Sequence, residues 1–190
     1  MQNWQKRLNG DPLPWLLDPK DPSVRYWTLV DILDRSANDP KVQDARVAIA
    51  QQPLAKELFA LQHQGGAIAA LNGLAVLPTD MRSAQSKGVV KRLANALLDA
   101  NYDFEGEHKR WLTFGVPRAW DLLSALKALA AHGYARDSRF VPLLKLMLNR
   151  QDEQGRWLCG SVSRTWPIEK RNQPSKWITL DALRILKQAG

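Results

Sequence analysis

Three stretches of the chain align without a gap over seven positions: Trp27-Thr28-Leu29-Val30-Asp31-Ile32-Leu33, Trp120-Asp121-Leu122-Leu123-Ser124-Ala125-Leu126 and Trp177-Ile178-Thr179-Leu180-Asp181-Ala182-Leu183. Gly65 to Leu71 fits the same frame without the tryptophan. Within each stretch the apolar residues recur at three and four positions, the spacing that puts them on one face of an α-helix. Each of the first three is followed by a turn and a second helical pattern, and the last ends the chain. A unit that recurs in this way cannot bury its apolar face alone, and it does so by stacking on its neighbours.

The same period extends outward. Val90, Leu93, Ala94, Leu97 and Leu98 carry it, as do Leu143, Leu144, Met147 and Leu148. No stretch alternates like a strand, so the fold class is all-α. Punctuation agrees: Asp21-Pro22-Ser23 and Asp39-Pro40 open helices with a candidate N-cap before a proline, and Gly133 closes one. Asp137-Ser138 caps the next. Pro78-Thr79-Asp80 breaks the chain between two more. These signals predict a single domain over 1–190, an arc of about seven main helices. Inner helices fall near 23–35, 65–77, 119–132 and 176–189, and outer helices near 39–62, 84–100 and 138–150. Two long loops remain, 101–118 and 151–175, and loops of that length in a compact domain tend to carry function.

The second loop opens with Gln151-Asp152-Glu153-Gln154-Gly155-Arg156-Trp157, a Q-x3-G-x-W motif, and Pro174-Ser175-Lys176-Trp177 then leads into the last helix. That order resembles the repeat of the terpenoid-cyclase and protein-prenyltransferase superfamily, whose fold is an α/α toroid. Trp15-Leu16-Leu17-Asp18, Asp21 to Tyr26 and Trp111 to Pro117 are also similar to segments of squalene-cyclase-like bacterial proteins. The resemblance is scattered over most of the chain and strongest from about residue 105 to the end. Gln151, Gly155 and Trp157 have a structural logic: glutamine bonds open backbone groups at a helix end, tryptophan packs beneath it, and glycine turns the chain at positive φ.

The resemblance implies architecture and stops short of chemistry. The D-x-D-D run of squalene-type cyclases and the D-D-x-x-D of magnesium-dependent terpene synthases are absent, as is a zinc-ligand pattern. No metal or cofactor is expected. Cys159 is the single cysteine, which excludes an intrachain disulfide, and it reads as a packed thiol. The acidic candidates for catalysis are Asp31, Asp121 and Asp181, early in inner helices, where interaction with the helix dipole is the competing account. Trp111, Trp120, Trp157, Trp166 and Trp177 fall in the long loops or at inner-helix starts. With Lys176 they are the candidates for an apolar ligand pocket at the inner-helix rim. Stapling of hairpins is the structural account of the same tryptophans. Lys176, Arg156, Arg164 and Lys170 form a candidate anion site, against a role in surface solubility.

The net charge is +8, with clusters at Lys87-Lys91-Arg92, His108-Lys109-Arg110 and Lys170-Arg171. Such a balance favours anionic partners if the charges converge, and otherwise marks solvated helix faces. No apolar run is long enough to span a membrane. The N-terminus lacks a secretory core, which reads as cytoplasmic. A full toroid in the superfamily uses roughly twice as many helices. The expectation is therefore a homodimer, or loops that cover the gap, because exposed apolar flanks mark interfaces or grooves. The leading functional expectation is a non-catalytic helical binding or scaffold protein holding a lipid- or isoprenoid-like ligand, or a protein partner. The alternatives are an isoprenoid-processing enzyme with an unrecognised acid, and a basic α-solenoid that binds nucleic acid.

Overall fold

A computed structural model describes residues 3–51, 98, 114–116, 121–162 and 169–190. The expected helices near 65–77 and 84–100 lie outside the described residues, Leu98 excepted, as do Trp111, Trp120 and Trp166.

The chain is all-α. A 3-10 helix, Asn3–Arg7, precedes α1 (Leu13–Leu16) and α2 (Pro22–Trp27), and α2 continues as a π-helical turn over Thr28–Ile32. There follow α3 (Pro40–Gln51), α4 (Leu122–Ala131), α5 (Phe140–Leu148) and α6 (Lys176–Ala189). Extended backbone among the described residues amounts to two-residue strands β1 (Gly115–Val116) and β2 (Ser161–Val162), paired in parallel with Gly115 opposite Ser161.

The seven-residue frame corresponds to α2 with its π turn, α4 and α6. Of these, α6 is the central helix, packed against both α2 and α4. It buries Ile178, Leu180, Leu183, Ile185 and Leu186, each worth about 1.5–3 kcal/mol when removed from water. Phe140 and Met147 of α5 and Leu122 and Leu126 of α4 join the same core. A small second cluster, Leu29, Val42 and Ala45, holds α3 against α2.

Three ion pairs run along the α2–α6 contact: Lys176 to Asp21 at 2.6 Å, Arg184 to Asp31 at 2.5 Å and Lys187 to Asp34 at 2.5 Å. Both segments advance in the same order along this ladder, so the two helices lie parallel. Lys187 also donates to the carbonyls of Asp31 and Ile32, cations being favoured where a helix ends in unpaired C=O groups.

Local chemistry explains the helix ends. Thr28 donates its hydroxyl to the Val24 carbonyl at 2.8 Å, and the Leu33 N–H returns to the Thr28 carbonyl, widening the last turn of α2 into the π form. Asp34 then takes φ 52° and the helix stops. Asp39 caps α3 by accepting from the Lys41 N–H at 2.8 Å, and Gly133, at φ 86°, ends α4. Asp137 accepts from the Arg139 N–H in the turn before α5. Asp21 departs from expectation: it occupies the N-cap position of α2, but its side chain makes no cap bond. The Lys176 ammonium, 2.6 Å from Oδ2, is its partner instead.

Candidate functional site

The loop after α5 is fixed from three sides. Gln151 accepts from the Asn9 N–H at 2.9 Å and donates to the Arg7 carbonyl at 3.0 Å, so it bonds the end of the N-terminal 3-10 helix. Asn9 returns a bond to the Asp152 carbonyl at 3.2 Å. Gly155 stands at φ 70°, and a Cβ placed on it would lie 2.5 Å from the Gly10 carbonyl oxygen. Trp157 is fully buried, donates its indole N–H to the Met147 carbonyl at 2.8 Å, and donates its backbone N–H to the Thr179 hydroxyl at 3.0 Å. Trp157 thus sits in the core beneath the loop.

This stitching lays the start of the chain against the entry to α6 and leaves a cleft of about 660 Å³. Its aromatic walls are Trp15 from α1 and Trp177 from the first turn of α6; Asp21, Arg156, Glu169 and Lys176 supply its charges. Arg156 and Lys176 both lie over the Trp15 ring, at 5.4 and 5.5 Å from its centroid, a cation–π arrangement. Lys176 also reaches Asp18 at 3.3 Å, and Arg156 is held by Asp152 at 2.9 Å. The Lys20 backbone N–H, and after it Lys176, keep the Asp18 carboxyl below the usual range.

The entry to α6 is doubly capped. Ser175 accepts from the Ile178 N–H at 3.0 Å, and Glu169 accepts from the Trp177 N–H at 3.3 Å, satisfying donors that no helix carbonyl can reach. Burial pushes the Glu169 carboxyl up from the ordinary value, against the Ser175 hydroxyl and the N–H groups of Trp177 and Lys176, which favour the charged form. Its Oε2 is buried and has no hydrogen-bond partner among the described residues.

The three aspartates singled out in the sequence lie elsewhere. Asp121 is buried and caps α4, accepting from the Ser124 N–H at 2.8 Å. Asp181 is shared by Lys127 and Arg184, each at 2.8 Å, and Arg184 also holds Asp31. These residues join α2, α6 and α4 sideways, with Arg184 lying over the Trp27 ring at 5.4 Å. Cys159 is buried, its Sγ 3.1 Å from the Ser161 carbonyl. Among the described residues no group of three or more His, Cys, Asp or Glu could hold a metal ion, and no helix is long and apolar enough to cross a membrane. Of the basic clusters only Lys170-Arg171 is described, and Arg171 donates to the Gly160 carbonyl at 3.1 Å.

Of the expected rim residues, Lys176 and Trp177 meet in the cleft, together with Arg156 and Lys170 of the anion-site candidates; Arg164 lies outside the described residues. Sequence reasoning missed Trp15 and Glu169. Trp15 had a detectable signal as an aromatic in a short amphipathic start, but its partners are far along the chain. Glu169 had none beyond its position ahead of the Ser175 cap. No protein-family profile, curated protein or solved structure matches the chain.

Proposed function

We propose that this chain is a non-catalytic binding module, built as a small closed toroid of helical hairpins. It takes a ligand with an apolar body in the rim cleft between Trp15 and Trp177. The observation that carries the reading is the position of α6. The last copy of the repeated helix packs against the first, α2, as well as against α4, and lies parallel to α2. That is the neighbour relation of a ring, and it supports the toroid likeness of the Q-x3-G-x-W loop. The cleft opens beside the N-terminal ends of α2 and α6, where a toroid gathers its inner-helix starts, and it has the size and aromatic walls of a small-molecule site. The commitment of Asp31, Asp121 and Asp181 to ion pairs and a helix cap supports binding over acid catalysis.

Titration with the uncharged apolar dye phenylnaphthylamine tests this. Saturable binding is expected, weakened about tenfold or more in Trp177→Ala or in Trp15→Leu, since an aromatic wall carries a large share of a site's affinity. Both variants are to be compared at matched thermal stability. Absence of saturable binding, or binding indifferent to both substitutions, would overturn the reading.

A further inference from the structure

The charges around the cleft are unevenly matched, and the mismatch bears on the ligand's head group. One ammonium, that of Lys176, serves two carboxylates, Asp18 at 3.3 Å and Asp21 at 2.6 Å. Arg156 is committed to Asp152. Glu169 has no cation partner among the described residues, and its Oε2 has no hydrogen-bond partner there either. Lys170, exposed at the rim, is the remaining cation of the lining. Glu169 is therefore the carboxylate of the lining without an ion-pair partner among the described residues, and its unsatisfied oxygen is buried. A buried acceptor without a donor costs free energy that a suitable donor would recover.

We propose that the cleft recognises a small organic ammonium with an aromatic or other apolar body. The ammonium donates to Glu169 and Asp21, and the body lies against the Trp177 indole. Trp15 is the less available wall, because Arg156 and Lys176 already occupy its ring. Glu169 lines the cleft, and in this proposal rotation about the soft terminal torsion of glutamate turns Oε2 to the ligand. An anionic head group would meet Glu169 and Asp21, with only Lys170, exposed at the rim, left to receive it. Recognition of ammonium by carboxylates beside an aromatic face is electrostatically favourable on both counts.

The inference rests on the cleft being a ligand site, so its test separates the two. Phenethylamine, phenethyl alcohol and phenylpropionate share one body and differ in head group. Each is titrated against the full chain by calorimetry and in competition with the dye. The amine is expected to bind about tenfold more tightly than the alcohol, the value of one charge-assisted hydrogen bond. Glu169→Gln should abolish that preference while leaving the alcohol unchanged, and Asp21→Asn should reduce it. The Glu169→Gln amide keeps an acceptor for the Trp177 N–H and removes a buried charge, so the fold is expected to persist. The amine's affinity should also rise with pH as the Glu169 carboxyl, pushed up by burial, ionises. Asp21, Arg156, Lys170 and Lys176 face the same cleft. Equal affinity for the three probes, or preference for phenylpropionate, would overturn the head-group inference while the cleft reading stands. Failure of all three together with the dye would overturn the cleft reading itself.

Discussion

The backbone approach between Gly155 and Gly10, at the loop after α5, yields a three-variant measurement. Gly155 combines φ 70° with a Cβ position 2.5 Å from the Gly10 carbonyl oxygen. Gly133 has φ 86° and nothing within 4 Å of its Cβ position. Gly10 has the contact alone, its Cβ position falling 2.7 Å from the Gln154 Cα. Alanine at Gly133 therefore carries only the left-handed backbone cost, roughly 1–2 kcal/mol. Alanine at Gly155 carries the same cost and must also push residues 7–10 away. That breaks the bonds of Gln151 to Asn9 and Arg7, and of Asn9 to Asp152, at roughly 0.5–1.5 kcal/mol each. The expected loss for Gly155→Ala is roughly 3–5 kcal/mol, against roughly 1–2 for Gly133→Ala and roughly 2–3 for Gly10→Ala. Because Gly10 and Gly155 touch, the double variant should fall short of the sum.

Urea denaturation gives the three values, and amide exchange locates them. In Gly155→Ala and Gly10→Ala the amides of residues 5–10 should lose protection, whereas Gly133→Ala should leave them unchanged. If Gly155→Ala and Gly133→Ala were equally destabilised, with unchanged exchange near Asn9, the N-terminal segment would not be clasped by this loop. The assembly of the cleft from the two ends of the chain would then lose its local support.

Three further outcomes follow from the same structure. Trp157→Phe removes the donor to the Met147 carbonyl and leaves a void in the core, an expected loss of roughly 2–4 kcal/mol. Thr179→Val, which takes the acceptor from the buried Trp157 N–H, should cost roughly 1–3 kcal/mol; losses under about 0.5 kcal/mol by denaturant melts would refute this role for the loop. Asp137 gives an acid-limb signature. Its two contacts to the Arg139 side chain, and then the Arg139 N–H, lower its carboxyl from 3.8 to about 2. A folded-state value below the unfolded one means the contribution is complete above 3.8 and is lost as pH falls towards about 2. Asp137→Asn should therefore flatten stability against pH in that window in thermal melts; an unchanged acid limb would count against the pairing.

What the sequence disclosed and what it withheld divide along the range of the interactions. Helix periods and stops are local, and α4, α5 and α6 fall where the spacing of leucines and the turn residues put them. The π turn depends on where one threonine hydroxyl points, which a period does not encode. The site is harder still, because equivalence in the repeat frame is not equivalence in environment. Trp27 and Trp177 hold the same frame position, yet Trp27 is 41% exposed beneath Arg184 and Trp177 lines the cleft. Asp31 and Asp181 hold another, and both are drawn to the one guanidinium of Arg184; the i,i+3 pair with Asp181 is local, whereas the reach across to Asp31 is not written in the sequence. Trp15 and Glu169 join Lys176 only because Gln151 and Gly155 bring the start of the chain to the end of it. That clasp is thus the step that converts scattered residues into a cleft. Any perturbation that opens the contact between residues 7–10 and the loop should weaken the cleft's binding before it unfolds the helices, since Trp15 is carried on the N-terminal side of that contact and Trp177 on the other.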